Sequence, residues 1–352
     1  MTGTDQGSNK TYPFILTSRR MIACCSTVPW RGKSLVLAVE SVVTQLHRPE
    51  IVHIFRPMHN VRQKVDVTDH TQVCASLQCL EQAHRVPIRL HTDISDVGPL
   101  TVYTGLLAQV TDPSANLFIF HDDVIYPSNT ISTLWAGRQQ VGDGCALSFS
   151  GYPVTGTCAL YDQIKAAVLP KKYHAYLRIP YMHAEEAYFL VPVIESWSGL
   201  LVERAWFTTG ADLMEYAHSL NTLAWRTMDI VISLWLHERT HIHRVIAPFD
   251  RKMHKMHSGN ESSALRKENI KDITGCYDRV LAGLTTRFAM SNQLPTSGLL
   301  GVCTYLYFES ENKDSTLLHI PKAIKQGGLE RRLRQQLDLL IKSPHLESLQ
   351  TQ

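Results

Sequence analysis

The chain has 352 residues, of which 44% are hydrophobic and 19% charged, and its formal net charge is +3. This composition is typical of a globular protein with a substantial core, and it excludes a disordered chain. Lysine and arginine residues are scattered along the sequence, so the charge pattern excludes a basic nucleic-acid-binding surface and predicts no nucleic-acid partner.

The first predicted elements are a strand, an amphipathic helix and a second strand. The apolar run MIACCSTVPW at 21–30 predicts a buried strand that ends at Pro29 and Trp30. Apolar residues recur at helical spacing over 34–46, and IVHIFRP at 51–57 predicts the next strand. This order within about 40 residues predicts a βαβ unit, and therefore a parallel sheet with helices on its faces.

The same alternation continues to about residue 140. Helical spacing is present over 71–84 and 98–110, and VPIRLHT between them predicts a strand. NLFIF at 116–120 predicts a further buried strand, and YPSNTISTLWAGRQQ after it predicts a helix. The N-terminal half is therefore predicted to be α/β.

The region 145–230 is less regular, with strand-like runs on both sides of a Trp-Ser-Gly turn. MDIVISLWLHERT at 228–240 has helical spacing, and Asp229 stands where a helix-capping or first-turn acid would. HRVIAP at 243–248 predicts a closing strand. The tail from residue 326 predicts an amphipathic helix that packs on the body or on a partner, which allows an oligomer.

Features that bear on the compartment indicate a cytoplasmic enzyme. No window approaches the roughly 20 consecutive apolar residues that span a bilayer. The N-terminus MTGTDQGSNKTYPF lacks the order of a signal peptide, and the 8 cysteines form no CxxC pair. The alternative is the Golgi or ER lumen, if an N-terminal anchor is missing from this sequence.

Two carboxylates, Asp122 and Asp123, directly follow the buried run NLFIF. Open α/β sheets bind ligands at the carboxyl ends of their strands. Carboxylates in that place can bind a divalent cation that bridges the phosphates of a nucleotide. The alternative is that the two acids only end the strand and begin the following turn.

Five segments together resemble one family. They are STVPWRGKSLVLAVESVVTQ, DVGPLTVYTG, FIFHDDVIYPSNTISTL, ESWSGLLVERAWF and TMDIVISLWLHERT. In this order they are similar to nucleotide-sugar glycosyltransferases of the GT-A type, of the glycosyltransferase family 2-like or exostosin-like kind. The resemblance covers about residues 20 to 260. It implies a Rossmann-like, open, mostly parallel sheet flanked by helices in a single large domain.

The resemblance also implies the domain boundaries. Residues 1–15 would be a flexible arm, and 16–260 the glycosyltransferase domain. That domain would divide into a donor half at about 16–135 and an acceptor half at about 136–260, followed by a mainly helical extension over 261–352.

Site residues are carried over by matching each motif. Donor binding falls on Pro29, Arg31, Lys33 and Asp122, and metal binding on His121, Asp123 and His257. Acceptor binding falls on Glu195, Trp197, Ser198 and Gly199. Asp229 would be the base that removes a proton from the acceptor hydroxyl, or an acid that orients the substrates.

Three positions depart from the family pattern. His121 replaces the first Asp of the acidic motif, Val102 replaces a common basic residue, and Met228 replaces a second acid. An imidazole ligand suits Mn²⁺ better than the harder Mg²⁺. The expected cofactor is therefore a divalent cation, with Mn²⁺ favoured. Alternatively, His121 donates a hydrogen bond to a phosphate directly.

The implied function is transfer of a sugar from a UDP- or GDP-sugar donor to a hydroxyl of a glycan or glycoconjugate acceptor. A first alternative is a catalytically weak relative that binds nucleotide or glycan as a partner subunit, which the three departures favour. A second is another α/β enzyme such as a nucleotidyltransferase. That class would need a glycine-rich phosphate loop after the first strand, where STVPWRGKS has one glycine and no P-loop spacing.

Overall fold

The computed structural model describes residues 20–61, 64–66, 70–152, 179–180, 189–190, 193–220, 228–248 and 255–256. Its helices are α1 (Gly32–Val43), α2 (Thr71–His84), α3 (Thr101–Gln109), α4 (Thr130–Val141), α5 (Gly210–Leu220) and α6 (Met228–Glu238). Short 3-10 helices cover Pro29–Arg31, Gly98–Leu100 and Arg204–Trp206. In its N-terminal half the strands are β1 (Met21–Ser26), β2 (Ile51–Phe55), β3 (His59–Asn60), β4 (Val65–Asp66), β5 (Ile88–His91), β6 (Asn116–Ile119) and β7 (Val124–Ile125). The later strands are β8 (Cys145–Ser148), β9 (Ser150–Tyr152), β10 (Ile179–Pro180), β11 (Phe189–Leu190), β12 (Val193–Ile194), β13 (Leu200–Glu203), β14 (His243–Ile246) and β15 (Lys255–Met256).

The main sheet has eight strands in the order β11-β14-β8-β13-β6-β1-β2-β5. Strands β5, β2, β1 and β6 are parallel neighbours, and β14 is parallel to β8. Strand β13 runs antiparallel to both β6 and β8, and β11 runs antiparallel to β14. The predicted fold class, an open and mostly parallel α/β sheet, is confirmed.

Helices cover both faces of this sheet because the strands are apolar on both sides. Along β1, Ile22 and Cys24 contribute to the core that α3, α5 and α6 cover. The alternate residues of β1 contribute to the second core, against α1, α2 and α4. This alternation is the two-residue period of a strand, so a single short segment supports two cores.

Most predicted elements of the N-terminal half are present with small shifts at their ends. Helix α2 covers 71–84 as predicted, and β6 occupies the predicted run at 116–120. The predicted strand at 21–30 is shorter, because Pro29–Arg31 forms a 3-10 helix after β1. The predicted helix over 98–110 divides into a 3-10 turn and α3.

Helix α5 was absent from the sequence-based prediction, although its N-terminal signal is present. The Thr209 hydroxyl accepts a hydrogen bond from the Asp212 amide at 3.1 Å, and Asp212 accepts one from the Thr209 amide at 3.3 Å. This reciprocal pair has the spacing of a capping box. Leu213, Tyr216 and Ala217 then bury one face of the helix at helical spacing.

Several sequence-based predictions lie outside the described residues. These are the N-terminal arm at 1–15, the extension at 261–352 and its helix from 326, together with the oligomer that this helix would support. The helices that the structure describes include none with the length and apolar character needed to cross a membrane.

Candidate functional site

The site lies at the carboxyl ends of β1 and β6, which are parallel neighbours in the middle of the sheet. Thr27 follows β1, and Asp122 follows β6, so the topology brings these two side chains together. The Thr27 hydroxyl donates a hydrogen bond to Asp122 Oδ2 at 2.6 Å. Asp122 is only 3% exposed. A carboxylate that is this buried requires a nearby positive charge or several hydrogen-bond donors.

Arg31 provides that positive charge to both carboxylates. Its Nη1 atom lies 2.6 Å from Asp122 Oδ1 and 3.1 Å from Asp123 Oδ2. Burial raises the pKa of Asp122, and the Arg31 charge opposes that rise. Burial would lower the pKa of Arg31, but the charges of Asp122 and Asp123 outweigh it and raise the pKa. The guanidinium therefore stays charged.

The 3-10 helix Pro29–Arg31 orients this arginine. Pro29 stands at its first position, and the Pro29 carbonyl accepts a hydrogen bond from Arg56 Nη2 at 3.0 Å. Arg56 is buried at the end of β2, so the turn that carries Arg31 is fixed to the sheet. Pro29 therefore contributes backbone geometry, and Arg31 contributes the side chain that reaches the acids.

Replacing Asp122 with alanine is expected to lower the free energy of unfolding by about 2–3 kcal/mol. Removal of one partner from a buried ion pair costs roughly 3–5 kcal/mol, and the partial exposure of Arg31 reduces that loss. Urea denaturation would measure it. The matched variant Asp122→Asn keeps hydrogen-bonding groups beside Thr27 and Arg31 and should lose less. Wild-type stability of Asp122→Ala would contradict a structural role for this carboxylate.

A second chain of hydrogen bonds joins His121 to Asp229 through Ser196. Asp229 Oδ1 accepts hydrogen bonds from the Ser196 amide at 2.9 Å and from the Ser196 hydroxyl at 2.7 Å. The Ser196 Oγ also lies 3.1 Å from His121 Nε2. The single hydroxyl proton of Ser196 is donated to the carboxylate, so His121 Nε2 must donate to Oγ. In the neutral ring, Nδ1 is then the atom with a free lone pair.

Asp229 is in the first turn of α6, as predicted. Its contact with Ser196, whose hydroxyl also lies within hydrogen-bond distance of His121, relates it to the segment that carries the two acids after β6. His121, Asp122 and Asp123 are consecutive, so one short segment contacts both Arg31 and, through Ser196, Asp229. The structure brings the predicted donor-side and reaction-side acids into one site.

Tyr126 fixes the turn after the two acids. Its hydroxyl accepts a hydrogen bond from the His121 amide at 2.9 Å and donates one to the Trp197 carbonyl at 2.8 Å. Burial raises the pKa of Tyr126 well above its usual range, so the hydroxyl keeps its proton. The Tyr-Pro sequence therefore joins the acidic segment to the predicted acceptor-side turn.

In the predicted acceptor-side turn, two of the four residues have buried polar side chains. Glu195 is 1% exposed, and its Oε2 accepts a hydrogen bond from the Trp197 indole at 3.0 Å. Ser198 is fully buried, with its hydroxyl 3.0 Å from that of Ser148 and 2.8 Å from that of Ser150. Trp197 is partly exposed. Of these three side chains, Trp197 is the one that can reach a ligand without rearrangement.

Gly199 has a backbone requirement in this turn. Its φ angle is +94°, and an added Cβ would lie 2.8 Å from Phe118 Cε2. Gly199→Ala is therefore expected to cost about 2–3 kcal/mol of unfolding free energy, through backbone strain and overpacking. Chemical denaturation would measure it. Gly144→Ala is the matched control, because nothing lies within 4 Å of its added Cβ. Equal stability of the two variants would contradict this role of Gly199.

Three other sequence-predicted positions are placed as follows. Lys33 is exposed in the first turn of α1. Val102, where a basic residue was the family expectation, is buried in α3 and packs in the core. Met228, the first residue of α6, is 7% exposed and belongs to the same core. Neither Val102 nor Met228 presents a group that could replace the missing charge.

A divalent cation fits this site only in part. Among the residues that the structure describes, no group of three or more His, Cys, Asp or Glu side chains is arranged to hold a metal ion. Both oxygens of Asp122 are already hydrogen-bonded. His121 Nδ1 and Asp123, whose side chain is 24% exposed, are the available ligands. Phosphate-bound Mg²⁺ commonly takes one or two carboxylates and completes its shell with phosphates and water. His257, like the other late histidine His254, lies outside the described residues.

Sequence reasoning missed Thr27, Ser196 and Tyr103. Thr27 and Ser196 lie inside motifs that the sequence singled out, but their roles depend on contacts with residues 95 and 33 positions away. Tyr103 is fully buried in α3, and in the described part of the chain its hydroxyl has no hydrogen-bond partner. Burial raises the pKa of Tyr103 well above its usual range, and the Asp229 charge adds to that rise.

No protein-family model and no curated protein matches this sequence. Among solved structures, the chain is similar to S. aureus TarS 1-349, with 14% identity, 82% of this chain and 79% of that chain covered, and a TM-score of 0.40.

The chain is also similar to glucosyl-3-phosphoglycerate synthase from Mycobacterium tuberculosis. In the complex of that enzyme with Mg²⁺ and UDP, identity is 10%, coverage is 54% of this chain and the TM-score is 0.30. The chain spans 58% of the length of that structure. A complex with Mn²⁺, UDP and glucosyl-3-phosphoglycerate is matched over 77% of this chain and 81% of that chain, with 10% identity and a TM-score of 0.36.

Proposed function

We propose that the protein is a glycosyltransferase that moves a sugar from a nucleotide-sugar donor, UDP- or GDP-linked, to a hydroxyl of a glycan or glycoconjugate acceptor. One observation carries the proposal. Asp122 and Asp123 follow His121 directly in the chain, and His121 is joined to Asp229 by hydrogen bonds through Ser196 at the carboxyl edge of the sheet. Glycosyl transfer needs both a charged site for the leaving diphosphate and a nearby group that accepts a proton.

On the donor side, we assign Arg31 to the diphosphate. Asp123 and His121 would hold a divalent cation, and Mn²⁺ is favoured because His121 offers imidazole nitrogen. Such a cation would neutralise charge on the departing diphosphate. Asp122 acts through Arg31, which it holds in place. Pro29 shapes the turn that carries Arg31, and Lys33 adds positive charge to the first turn of α1.

On the acceptor side, Asp229 accepts the proton of the attacking hydroxyl if the reaction inverts configuration. Its Oδ1 is engaged by two hydrogen bonds from Ser196, so Oδ2 is the oxygen assigned to the proton. If the reaction retains configuration, Asp229 orients the donor or acceptor. Trp197 would stack on the apolar face of a sugar ring, and Glu195 and Gly199 hold the turn from which Trp197 extends.

A second candidate is a partner subunit that binds nucleotide or glycan with little catalysis. The observation in its favour is the pairing of both Asp122 and Asp123 with Arg31, which leaves less negative charge for a metal ion. The two candidates differ in turnover: the glycosyltransferase transfers sugar, and the partner subunit binds nucleotide or glycan with little catalysis.

A thermal-shift screen of nucleotide sugars with and without Mn²⁺ tests the proposal. A ligand that binds the native state raises the melting temperature by mass action, by an amount equivalent to about 2.7 kcal/mol at a hundredfold excess over Kd. We expect stabilisation by a UDP- or GDP-sugar and slow hydrolysis of the same donor. Stabilisation without hydrolysis or transfer would favour the partner subunit. No response to any nucleotide would contradict the glycosyltransferase and favour a partner subunit that binds glycan.

A further inference from the structure

Arg31 lies between the carboxylates of Asp122 and Asp123. In the sequence-based prediction, a divalent cation would bind at this acidic motif. One atom, Nη1, contacts Asp122 and Asp123 at 2.6 and 3.1 Å. Thr27 completes the hydrogen bonds of Asp122 from the end of β1. The guanidinium is therefore fixed by a buried carboxylate and a partly exposed one, on a turn that is itself fixed to the sheet.

The rest of the guanidinium remains available for a ligand. An arginine side chain has five N–H donors in a rigid planar fork. Within the described residues, the hydrogen bonds and ion pairs of the Arg31 side chain are made through Nη1, and the side chain is 22% exposed. The N–H groups of Nη2 and Nε therefore remain available to donate hydrogen bonds to a ligand. Their fork geometry matches two phosphate oxygens, and a guanidinium bound to an anion in this way makes charge-assisted hydrogen bonds.

The surrounding backbone adds to the same positive charge. Helix α1 begins at Gly32, directly after Arg31, and has no acidic residue in its first turn. The N-terminal end of a helix carries a partial positive charge, and its first amides lack partners within the helix. Both the side chain and the helix end therefore favour an anion at this position.

A divalent cation placed between the two carboxylates would meet the Arg31 charge at short range. Two carboxylates and one guanidinium leave a net charge of −1 here, compared with −2 for the same acids without Arg31. A lower negative charge weakens the attraction for a divalent cation and reduces the repulsion of a diphosphate.

We propose that Arg31 is a resident cation of the donor site, one that binds the diphosphate of a nucleoside diphosphate directly, so that nucleotide binding does not require a divalent metal. The inference rests on the proposed function and deepens it. Asp122 is the positioning residue that holds Arg31 through its Nη1 atom, which leaves the opposite donors for phosphate oxygens.

Isothermal titration of the full-length protein with UDP, and in parallel with GDP, tests this inference. Titrations in EDTA and in Mn²⁺ are compared. The wild-type protein is expected to bind one nucleotide in EDTA with a Kd within about tenfold of its value in Mn²⁺. Arg31→Met should weaken binding in EDTA by about 10- to 100-fold, the equivalent of one or two lost charge-assisted hydrogen bonds. Arg20→Met is the matched control, since it removes the same charge from an exposed ion pair with Glu50.

A second measurement separates this role from a general loss of structure. Direct titration with Mn²⁺ alone, followed by the paramagnetic resonance signal of free Mn²⁺, should show tighter metal binding by Arg31→Met than by wild type. A site whose structure is disrupted by the substitution would instead bind both the nucleotide and Mn²⁺ more weakly. If Arg31→Met does not fold because Asp122 is left unpaired, Arg31→Lys keeps the charge but lacks the fork. It should also weaken binding in EDTA.

The outcomes also separate this inference from the proposed function. Wild-type binding of UDP or GDP in Mn²⁺ but not in EDTA would overturn the role of Arg31 and leave the glycosyltransferase proposal standing. Equal binding in EDTA by wild type and by both Arg31 variants would overturn it as well. Failure of every nucleotide to bind, with or without metal, would overturn the proposed function and this inference with it.

Discussion

Asp229→Asn is expected to lower kcat for sugar transfer by about 10²- to 10⁴-fold, the range that a positioned general base contributes. The Kd for the donor nucleotide should change little. Asparagine keeps an oxygen that can accept both hydrogen bonds from Ser196, so the geometry of Ser196 and His121 is retained while the basic oxygen is lost. Steady-state kinetics with separate donor and acceptor titrations would measure the effect.

The control for this variant is Asp212→Asn. Asp212 also stands in the first turn of a helix, α5, but is exposed at the surface. If Asp229 serves only as a first-turn acid, both variants should alter stability slightly and leave kcat unchanged. A weaker donor affinity with unchanged kcat for Asp229→Asn would instead make Asp229 a donor contact.

Asp123→Ala is expected to reduce transfer and donor hydrolysis by about 10²- to 10³-fold, comparable to loss of one electrostatic stabiliser of a developing charge. Stability should be nearly unchanged, because the side chain is 24% exposed and Arg31 keeps its pairing with Asp122. Activity and thermal unfolding should be measured on the same preparation. The two neighbouring acids thus have different expected signatures: loss of Asp122 lowers stability and acts on the donor through Arg31, whereas loss of Asp123 lowers activity with little change in stability.

The matched control for Asp123→Ala is Asp66→Ala. Asp66 forms an ion pair with His59 and is 76% exposed, and surface pairs of this kind contribute little. It should therefore leave both activity and stability unchanged. Unaltered transfer by Asp123→Ala would remove Asp123 from the donor and metal site.

Local patterns were sufficient to predict the parallel part of the sheet. The apolar runs that became β1 and β6 are continuous, and the run of β2 is interrupted only by the buried His53, as expected for strands covered on both faces. The placement of Asp122 and Asp123 at a strand end follows from where the run at 116–120 stops. Asp229 could be predicted for a similar reason, since it begins a segment with clear helical spacing.

The contacts that organise the site could not be predicted, because they join distant parts of the chain. Arg31 was predicted as a donor-binding residue, but nothing local shows that it would contact both acids 91 and 92 residues later. Ser196 lies among other serines, and its sequence neighbours do not distinguish it. The position of β13 between β6 and β8 is likewise a long-range pairing that has no local signature.

Strand β13 also determines when the protein can fold during synthesis. Until residues 200–203 have been made, β6 has β1 on one side and an open row of backbone amides and carbonyls on the other. An apolar strand with an open edge pairs readily with other chains. A fragment that ends after α4, which would contain every donor-side residue described above, should therefore aggregate rather than fold as a unit. The two halves of the site share one sheet, so we expect the donor side to form only when β13 is present.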